Sequence, residues 1–499
     1  MAHSFETEID DAVQPLVLAL DVGSTASRGA VYDAHGRPVG RRAKAAHTFT
    51  TAADGTSVID PDQVVGELTG IIDELVGALH GRQVAGVAID TFASSLVVVD
   101  GRGRAMTPCF TYADGRCTTQ VGQLLEELDE PALHQRTGTR VHGSYWPARL
   151  RWLAQEHPDV VADAAHYLSL GDYVLLRLTG TLATGTSCAA WAGMVERRTA
   201  DWDEDLLAVT GVTRTQLPPI HHVDEPLEIK PERAHRLAAR WPAIAGARWY
   251  AAVADGVAAN VGLGAGDERT IGASCATSGA LRVIVRQMPE ELPRGLWCYR
   301  VSHDRSIVGG ALSDVGRALT WAGGALAVEQ EGPEALSAAL LAEPADGTPL
   351  VLPFLTGERS TGWAGDARAV LAAVDVTTGP LELYRGVVEG IALAYARIAA
   401  QLHEVAPATE QLYCGGRVAN DRPELLEVMA DAMRTPVTRV PIKRSTLHGT
   451  ALLALESLAP DTPRAVPPHD PEHRPQDRRR TYYTGRLARF EQVYQALFR

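Results

Sequence analysis

The sequence has few cysteines, and their spacing carries no signal for metal or disulfide chemistry. The six thiols are scattered along the chain at Cys109, Cys117, Cys188, Cys275, Cys298 and Cys414. Zinc modules and disulfide-rich secreted domains rely on close repeats such as CxxC, which this chain lacks. The pattern therefore indicates neither zinc nor a disulfide framework. We expect six reduced thiols that are mostly buried as small apolar side chains.

Long runs of positive charge and of apolar residues are also missing. The net charge is −14, and the only basic cluster is at residues 478–480. Binding to nucleic acid without regard to sequence needs an excess of Lys and Arg, so the composition excludes it. No apolar run approaches about 18 residues, and the N-terminus lacks the basic and apolar parts of a signal peptide. We expect a cytoplasmic protein without a membrane partner, and a homodimer is compatible with the sequence.

The chain is long and has an ordinary globular composition. Its 499 residues exceed what one hydrophobic core usually supports. The hydrophobic share of 45% is enough to fill two cores. We predict an N-terminal domain at residues 1–262, a C-terminal domain at 263–460, and a Pro-rich linker with a terminal helix at 461–499.

The order of the predicted elements favours an α/β fold. Residues 16–40 are typical of three short strands, the first two joined by a Gly/Ser/Thr turn. Apolar residues at helical spacing predict helices over 61–79 and 164–178. Between them, an apolar run that ends at Asp90 is typical of a buried strand. Residues 277–279 are typical of a second turn between two strands, so the chain contains this strand–turn–strand pattern twice.

Asp21 is the first candidate for chemistry. It ends an apolar strand directly before Gly23, Ser24 and Thr25. A carboxylate there can orient Mg²⁺ through water, while small residues let backbone amides approach a phosphate. The alternative is a simple hairpin turn in which the aspartate bonds to its own backbone. The turn alone leaves both interpretations open.

Asp255 is the second candidate, because it stands alone in a run of small and apolar residues. Burying an unpaired carboxylate raises the free energy of the folded protein by about 2 kcal/mol or more, so such a residue is expected where a ligand or a reaction needs its charge. An aspartate that accepts a hydroxyl proton is the base that phosphoryl transfer needs. The alternative is a helix N-cap, which also favours aspartate before a Gly/Ala helix. Both roles are compatible with the sequence.

A third candidate is the junction Cys414-Gly415-Gly416-Arg417, which follows a strand-like run and precedes a helix. Such a junction can bring backbone close to a nucleotide, and it can also be no more than a tight turn. Alone it does not distinguish these roles.

Taken in order, these segments resemble the FGGY family of carbohydrate kinases, within the wider group of actin-like, ribonuclease H-like ATPases. Seven segments carry the resemblance: DVGSTASRGAVYD, TPCFTYADGRC, VADGVAANVGLGAG, ATSGALR, LPFLTGERSTGWAGDAR, VVEGIALAYARI and YCGGRVANDRPELLEVMADAMRTPV. The resemblance implies an α/β fold with two actin-like ATPase domains around a central nucleotide and sugar cleft. It also implies a kinase that transfers the γ-phosphate of ATP to a hydroxyl of a sugar or sugar acid, with Mg²⁺.

The resemblance also implies roles for single residues. Asp255 would be the general base, and Asp21 and Asp255 would hold Mg²⁺. The nucleotide would be bound by Gly23, Ser24, Thr25, Arg28, Thr277, Ser278, Gly279, Gly310, Gly415, Gly416, Arg417 and Asn420. The sugar would be bound by Tyr112, Asp114, Arg116, Ser94, Ser95, Tyr145 and Asp255. For Arg116, a surface ion pair with Asp114 stays open as the alternative.

Within that family the chain looks most similar to gluconate kinases, through segments such as TYADGR, SLGDYVLLRLTG and PFLTGERSTGW. Gluconate, phosphorylated to 6-phosphogluconate, is therefore the expected acceptor. The chain departs from that pattern where residues 92–95 read Phe-Ala-Ser-Ser in place of a Met-His pair. Tyr145 and Trp146 replace smaller residues, and Ala369 and Ala373 stand where glycines are usual.

Three other functions stay open on the sequence. The enzyme could phosphorylate xylulose, another pentulose or a polyol. An actin-like nucleotide switch would bind ATP without phosphorylating a sugar, although the YADGR segment would then be unnecessary. A sugar-responsive regulator would need a DNA-binding extension, which this acidic chain does not have.

Overall fold

A computed structural model describes residues 5–498, apart from the side chain of Glu329. These residues form two compact units. Unit 1 contains the chain up to Gly262, together with Cys298–Ser306 and Arg444–Val466. Unit 2 contains Leu263–Trp297, Ile307–Lys443 and the described chain from Pro467 onward.

The strands are numbered in chain order. They are β1 Val17–Val22, β2 Ala26–Tyr32, β3 Pro38–Ala46, β4 Thr50–Thr51, β5 Ser57–Ile59, β6 Gly86–Thr91, β7 Val97–Val99, β8 Cys109–Phe110, β9 His166–Leu168, β10 Thr184–Gly185, β11 Val195–Glu196, β12 Asp201–Trp202, β13 Ile220–His221, β14 Arg248–Trp249, β15 Val253–Ala254, β16 Thr270–Cys275, β17 Gly279–Val285, β18 Trp297–Arg300, β19 Ser306–Leu312, β20 Leu350–Leu352, β21 Val370–Ala372, β22 Gln411–Gly415 and β23 Val437–Arg439.

The α-helices are numbered in the same way. They are α1 Pro61–Gly77, α2 Thr118–Glu127, α3 Glu130–Thr137, α4 Trp146–Glu156, α5 Pro158–Ala162, α6 Leu170–Thr179, α7 Thr186–Ala192, α8 Glu204–Thr210, α9 Pro231–Arg240, α10 Asp255–Gly262, α11 Gly316–Ala325, α12 Pro333–Leu341, α13 Pro380–Val405, α14 Arg417–Asp421, α15 Glu424–Met433, α16 Ser445–Leu458 and α17 Arg480–Phe498.

Unit 1 is built on a sheet with the strand order β14-β6-β1-β2-β3, and β15 also pairs with β6. Strands β1 and β6 are parallel, whereas β1, β2 and β3 form an antiparallel meander. Every residue of β1 is buried, because helices cover both faces. Leu18 and Leu20 belong to the core that contains Leu68 and Ile72 of α1. Val17 and Ala19 belong to the opposite core, with α16. This alternation follows from the two-residue period of a strand.

Unit 2 is built on a second sheet, in which β19-β17-β16-β22-β23 follow one another. As in unit 1, an antiparallel hairpin, β16 and β17, is joined to parallel strands, here β22 and β23. Helix α13 is the central helix of the unit and contacts β17, β20 and α15. Buried residues occur along most of α13, because other elements pack against several sides of this helix.

Most predicted elements are confirmed, and one helix is shorter than predicted. Residues 164–178 were expected to be helical throughout, but residues 166–168 form β9, which pairs with β7. Helix α6 begins only at Leu170, where the side chains of Ser169 and Asp172 cap it reciprocally. The apolar residues of β9 satisfy a helical pattern and a buried strand equally well, so periodicity could not separate them.

The division of the chain is less contiguous than the sequence predicts. The predicted boundary after residue 262 coincides with the end of the first segment of unit 1. The predicted second domain, 263–460, differs from the structure, because residues 298–306 and 444–466 belong to unit 1. Helix α16 belongs to unit 1, because its residues Leu447, Ala451 and Leu455 complete the core on one face of the first sheet. An amphipathic pattern does not specify which sheet a helix will cover.

The six cysteines are free and buried, as predicted. Among the described residues, none of the helices combines the length and apolar character that crossing a membrane requires.

Candidate functional site

Three aspartates of unit 1 lie at the carboxyl ends of neighbouring parallel strands. Asp21 in β1 is in register with Asp90 in β6. Asp255 follows β15, whose Val253 pairs with Asp90, and it is the first residue of α10. The ends of parallel strands are where α/β sheets usually bind ligands. The three side chains interact electrostatically, since Asp21 and Asp255 both act on the carboxyl group of Asp90.

Asp90 is a functional candidate that the sequence did not reveal. Its side chain is fully buried and accepts a hydrogen bond from the hydroxyl of Thr450 at 2.6 Å. Burial, followed by the negative charge of Asp21, raises the pKa of Asp90 well above its usual value. The other oxygen, Oδ1, has no hydrogen-bond partner among the described residues. The strand pattern ending at Asp90 was visible in the sequence, but its pairing with Asp21 was not.

Replacing Asp90 with asparagine is expected to stabilise the protein more at neutral than at acid pH. An unfolded chain ionises Asp90 near the ordinary aspartate pKa of 3.8, whereas burial and the charge of Asp21 raise this pKa in the folded protein. Its contribution to stability is therefore complete below about pH 4 and is lost as pH rises towards the folded pKa. An asparagine cannot ionise in either state.

The melting temperature of Asp90→Asn, measured against that of wild type, should therefore rise between about pH 4 and about pH 7. The exposed Asp461→Asn serves as the control and should show a flat difference. A flat profile for Asp90→Asn would mean that Asp90 is ionised in the folded protein.

The predicted phosphate turn is a tight hairpin between β1 and β2. The amide of Gly23 donates to the carbonyl of Ala26 at 3.2 Å, and Ser24 and Thr25 are exposed at the tip. Arg28 bonds to Asp21 at 2.9 Å and to the hydroxyl of Thr25 at 3.1 Å. A Cβ on Gly23 would lie 2.5 Å from the Arg28 guanidinium, so a larger residue there would displace this side chain from Asp21. Asp21 therefore bonds to an arginine across the hairpin.

The predicted sugar segment contains an ordered ion pair. The Arg116 guanidinium donates to both oxygens of Asp114, at 3.0 and 2.7 Å. It also lies 4.6 Å from the ring centroid of Trp152. Asp114 is 4% exposed and accepts a further bond from the amide of Ser57. The ion pair between Arg116 and Asp114, which was the alternative interpretation of Arg116, is therefore present, but it is mostly buried. Tyr112 is 44% exposed and so has surface available for a ligand.

Ser95 and Tyr145, both predicted to bind the sugar, have hydroxyl groups that face the protein interior. The Ser95 side chain is fully buried, and its hydroxyl accepts from the amide of Leu170 at 2.9 Å. Tyr145 is 5% exposed, and its hydroxyl bonds to that of Tyr299 at 2.6 Å. Ser94 adopts a left-handed backbone conformation and donates to the carbonyl of Trp191. These residues shape the loop and leave little surface for direct sugar contact.

Arg149 is a second residue that the sequence did not indicate. This arginine of α4 is buried, and its Nη1 donates to the carbonyl of Ser94. Its Nε and Nη2 have no hydrogen-bond partner among the described residues. Burial lowers the pKa of the guanidinium, but an arginine stays protonated in proteins. A positive charge without a salt bridge in the described chain therefore lies directly behind the Ser94 loop.

Unit 2 contains a cavity of about 740 Å³ beside its own hairpin turn. This volume is within the usual range for small-molecule and cofactor sites. The turn residues Ala276 and Thr277 line it, together with Arg417 and Asp421 of α14. The predicted residues Thr277 and Arg417 are thus brought together around one space. Ser278 is exposed beside Thr277 on the same turn.

Several residues that line the cavity were not predicted from the sequence, among them Arg317, Trp321 and Tyr384. Arg317 and Trp321 lie on α11, whose first amides donate to the carbonyls of Ala276 and Thr277. No spacing in the sequence links that helix to the turn, because the contact depends on how the chain folds back.

The predicted nucleotide-binding glycines occupy different positions in unit 2. Gly416 has φ +113°, and a Cβ there would lie 2.4 Å from the carbonyl of Cys275, so it lets β22 turn directly into α14. Gly415 ends β22 against Leu263. Gly279 packs against the hydroxyl of Tyr395, where a Cβ would collide.

Gly310, which is predicted to shape the nucleotide pocket, has close neighbours inside unit 2. It lies within β19, and a Cβ there would meet Ile398 and Ser360 at 2.8 and 2.9 Å, so it serves interior packing. Asn420 is exposed on α14, and its Oδ1 accepts from Arg439. Neither residue lines the cavity.

Comparison with known proteins gives the same assignment along most of the chain. The N-terminal domain of the FGGY family of carbohydrate kinases matches residues 16–262, and its C-terminal domain matches residues 295–458. The gluconokinase of Bacillus licheniformis is 23% identical over 461 residues, covering 88% of this chain and 87% of that protein. The xylulose kinase of Klebsiella pneumoniae is 26% identical over 434 residues, covering 83% and 86%.

Solved structures agree with the fold. The gluconate kinase of Lactobacillus acidophilus superposes with a TM-score of 0.89 at 22% identity, covering 97% of this chain and 98% of that chain. The ligand-bound xylulose kinase of the same organism gives 0.88 at 22% identity, with coverage of 97% and 98%.

Two α/β units, each with a hairpin turn joined to parallel strands, define an actin-like, ribonuclease H-like kinase fold. The chain belongs to the FGGY family of carbohydrate kinases, because the two family domains together cover more than half of it. It is a sugar phosphotransferase, and kinases of this family use ATP. An actin-like switch without sugar phosphorylation is thereby excluded.

Proposed function

We propose that this kinase phosphorylates D-gluconate on its primary hydroxyl, giving 6-phosphogluconate and ADP. The observation that favours a sugar acid is Arg149, a buried cation without a salt bridge that bonds to the loop carrying Ser94. A buried positive charge attracts a carboxylate more strongly than it would in water. The gluconokinase relatives support the same acceptor.

In this proposal Asp255 accepts the proton of the acceptor hydroxyl as its oxygen attacks the γ-phosphorus of ATP. The bond from the γ-phosphorus to the oxygen of ADP breaks as the new one forms. Asp255 suits this role because it is only partly buried, whereas Asp90 is protonated and enclosed. The exposed tip of the unit 1 turn, with Ser24 and Thr25, would contact the phosphates.

The carboxylates of unit 1 fit Mg²⁺, the ion proposed to accompany ATP. Carboxylate oxygens are the ligands it prefers, and the negative charges of Asp21 and Asp255, which both act on Asp90, lie close enough together to favour a cation. Asp21 and Asp255 would hold the ion, which when bound neutralises charge on the phosphates. Asp90, which lies close to Asp21, would support these two aspartates.

Xylulose is the second candidate acceptor, because a xylulose kinase is 26% identical over most of the chain. The two can be separated by an ADP-release assay with Mg-ATP against gluconate, other aldonates, xylulose, other ketoses, aldoses and polyols. We expect the highest kcat/KM with gluconate and the product 6-phosphogluconate. A higher value with xylulose would retain the kinase and overturn the acceptor.

Removing the charge of Arg149 is expected to affect gluconate and not xylulose. Arg149→Met should raise KM for gluconate about tenfold, equivalent to about 1.4 kcal/mol of lost attraction, and leave KM for a neutral sugar nearly unchanged. Arg149→Lys keeps the charge and is the matched control. Equal losses with both sugars would show that Arg149 only supports the loop.

A further inference from the structure

Two histidines and a glutamate in unit 1 form a cluster with no part in phosphoryl transfer. They are His222 and Glu225, which follow β13, and His303 in the segment Cys298–Ser306. One ligand atom from each lies within 4.8 Å of the other two. Within residues 5–498, no other set of three His, Cys, Asp or Glu residues meets this condition. Nothing in the cysteine pattern pointed to it.

The Nδ1 atom of His222 has a hydrogen-bond partner outside the cluster. The hydroxyl of Thr186 lies 3.0 Å from Nδ1 of His222 and 3.1 Å from the carbonyl of His221. When the hydroxyl donates to that carbonyl, it accepts the proton of Nδ1, and Nε2 keeps the lone pair that a metal can bind. Histidines that bind metals usually donate their other nitrogen in this way.

Glu225 is also oriented within the cluster. One carboxylate oxygen accepts from the backbone amide of His222 at 2.9 Å, and the other lies 3.4 Å from Nε2 of His303. These two contacts direct the carboxylate towards the histidines, as a metal ligand should be.

His303 supplies the freedom that coordination requires. The rings of His222 and His303 lie with their centroids 3.4 Å apart at 38°, and the His303 side chain is 68% exposed. Zinc bonds of 2.0–2.1 Å in a tetrahedron place ligand atoms about 3.3 Å apart. Rotation of the exposed His303 ring can separate the two rings and bring the three ligand atoms to this spacing.

We propose that His222, Glu225 and His303 bind a divalent transition metal such as Zn²⁺, with water in the remaining position. Two imidazoles and one carboxylate suit Zn²⁺ better than Mg²⁺ or Ca²⁺, which prefer oxygen ligands throughout. The metal would join the residues after β13 to the segment Cys298–Ser306. That segment also carries Tyr299, which stacks on Trp191 with centroids 3.9 Å apart and bonds to Tyr145.

The test is zinc binding to the untagged, chelator-treated kinase, measured by calorimetry with ZnCl₂ near neutral pH. We expect one Zn²⁺ per chain. His303→Gln and Glu225→Gln should each weaken binding at least tenfold, while His221→Gln, which changes the neighbouring histidine outside the cluster, should bind as wild type does. Absence of saturable binding, or equal affinity in all three variants, would overturn the proposal.

The tautomer argument has its own test. Thr186→Val removes the acceptor for Nδ1 and is expected to weaken zinc binding by about 10-fold to 100-fold, as loss of such partners commonly does. Thr186→Ser keeps the hydroxyl and should bind like wild type. Circular dichroism of both variants establishes that they are folded. A folded Thr186→Val with unchanged affinity would contradict the assigned tautomer, and with it the proposed geometry.

Discussion

Asp255→Asn is expected to lower kcat by about 10²-fold to 10⁴-fold, the usual contribution of a general base. Asparagine has nearly the same shape as aspartate but cannot accept the hydroxyl proton. Asp255 also begins α10, and asparagine is similarly favourable at the start of a helix, so the fold should persist. ATP affinity, measured by calorimetry without Mg²⁺, should stay within a few fold, because the predicted nucleotide-binding residues Thr277 and Arg417 line a cavity of unit 2.

Asp163→Asn removes the same charge from an exposed position in unit 1 and should leave kcat unchanged. Near-normal turnover in Asp255→Asn would show that Asp255 is not the base and would make Asp21 the next candidate. A parallel loss of melting temperature and turnover would instead point to a structural role.

Gly449→Ala is expected to destabilise unit 1 by about 3 kcal/mol or more, because overpacking here involves backbone on both sides. A Cβ on Gly449 would lie 1.8 Å from the carbonyl oxygen of Ala258 in α10, and one on Gly262 would lie 1.9 Å from that of Ser445 in α16. Helices α10 and α16 therefore cross at Gly262 and Gly449. Neither backbone can move away from the other without disturbing the sheet that α16 covers. Since α10 begins with Asp255, turnover should fall as well.

The matched control is Gly70→Ala. Gly70 lies in the middle of α1, is exposed, and has open space where a Cβ would be. The same substitution there should stabilise the protein by about 0.4–1 kcal/mol. Urea unfolding of both variants provides the measurement. Similar midpoints for Gly449→Ala and wild type would mean that the two helices can separate without cost.

The sequence predicted elements well where local patterns are strong. The hairpins around Gly23 and Ser278 follow from small residues between apolar runs, and α1 follows from helical spacing after a proline. It predicted poorly where an apolar run fits two structures, as at β9.

The site was predicted in part, and for a similar reason. Asp21 and Asp255 stand out because each is a lone carboxylate in an apolar run. Asp90 stands in the same kind of run, but its importance comes from its register with Asp21, which the sequence does not state. Ser95 and Tyr145 were assigned to the sugar, although burial turns their hydroxyls to Leu170 and Tyr299. The direction of a side chain depends on its packing.

The amino-acid sequence by itself determined the family, the α/β class, the two turns and the lone carboxylates, because these are encoded in short runs of neighbouring residues. Only the tertiary structure decided which sheet α16 covers, that burial and the charge of Asp21 raise the pKa of Asp90, and that His303 meets His222. Those features depend on residues that are distant in the chain and are brought together by burial, and burial sets the cost of each charge.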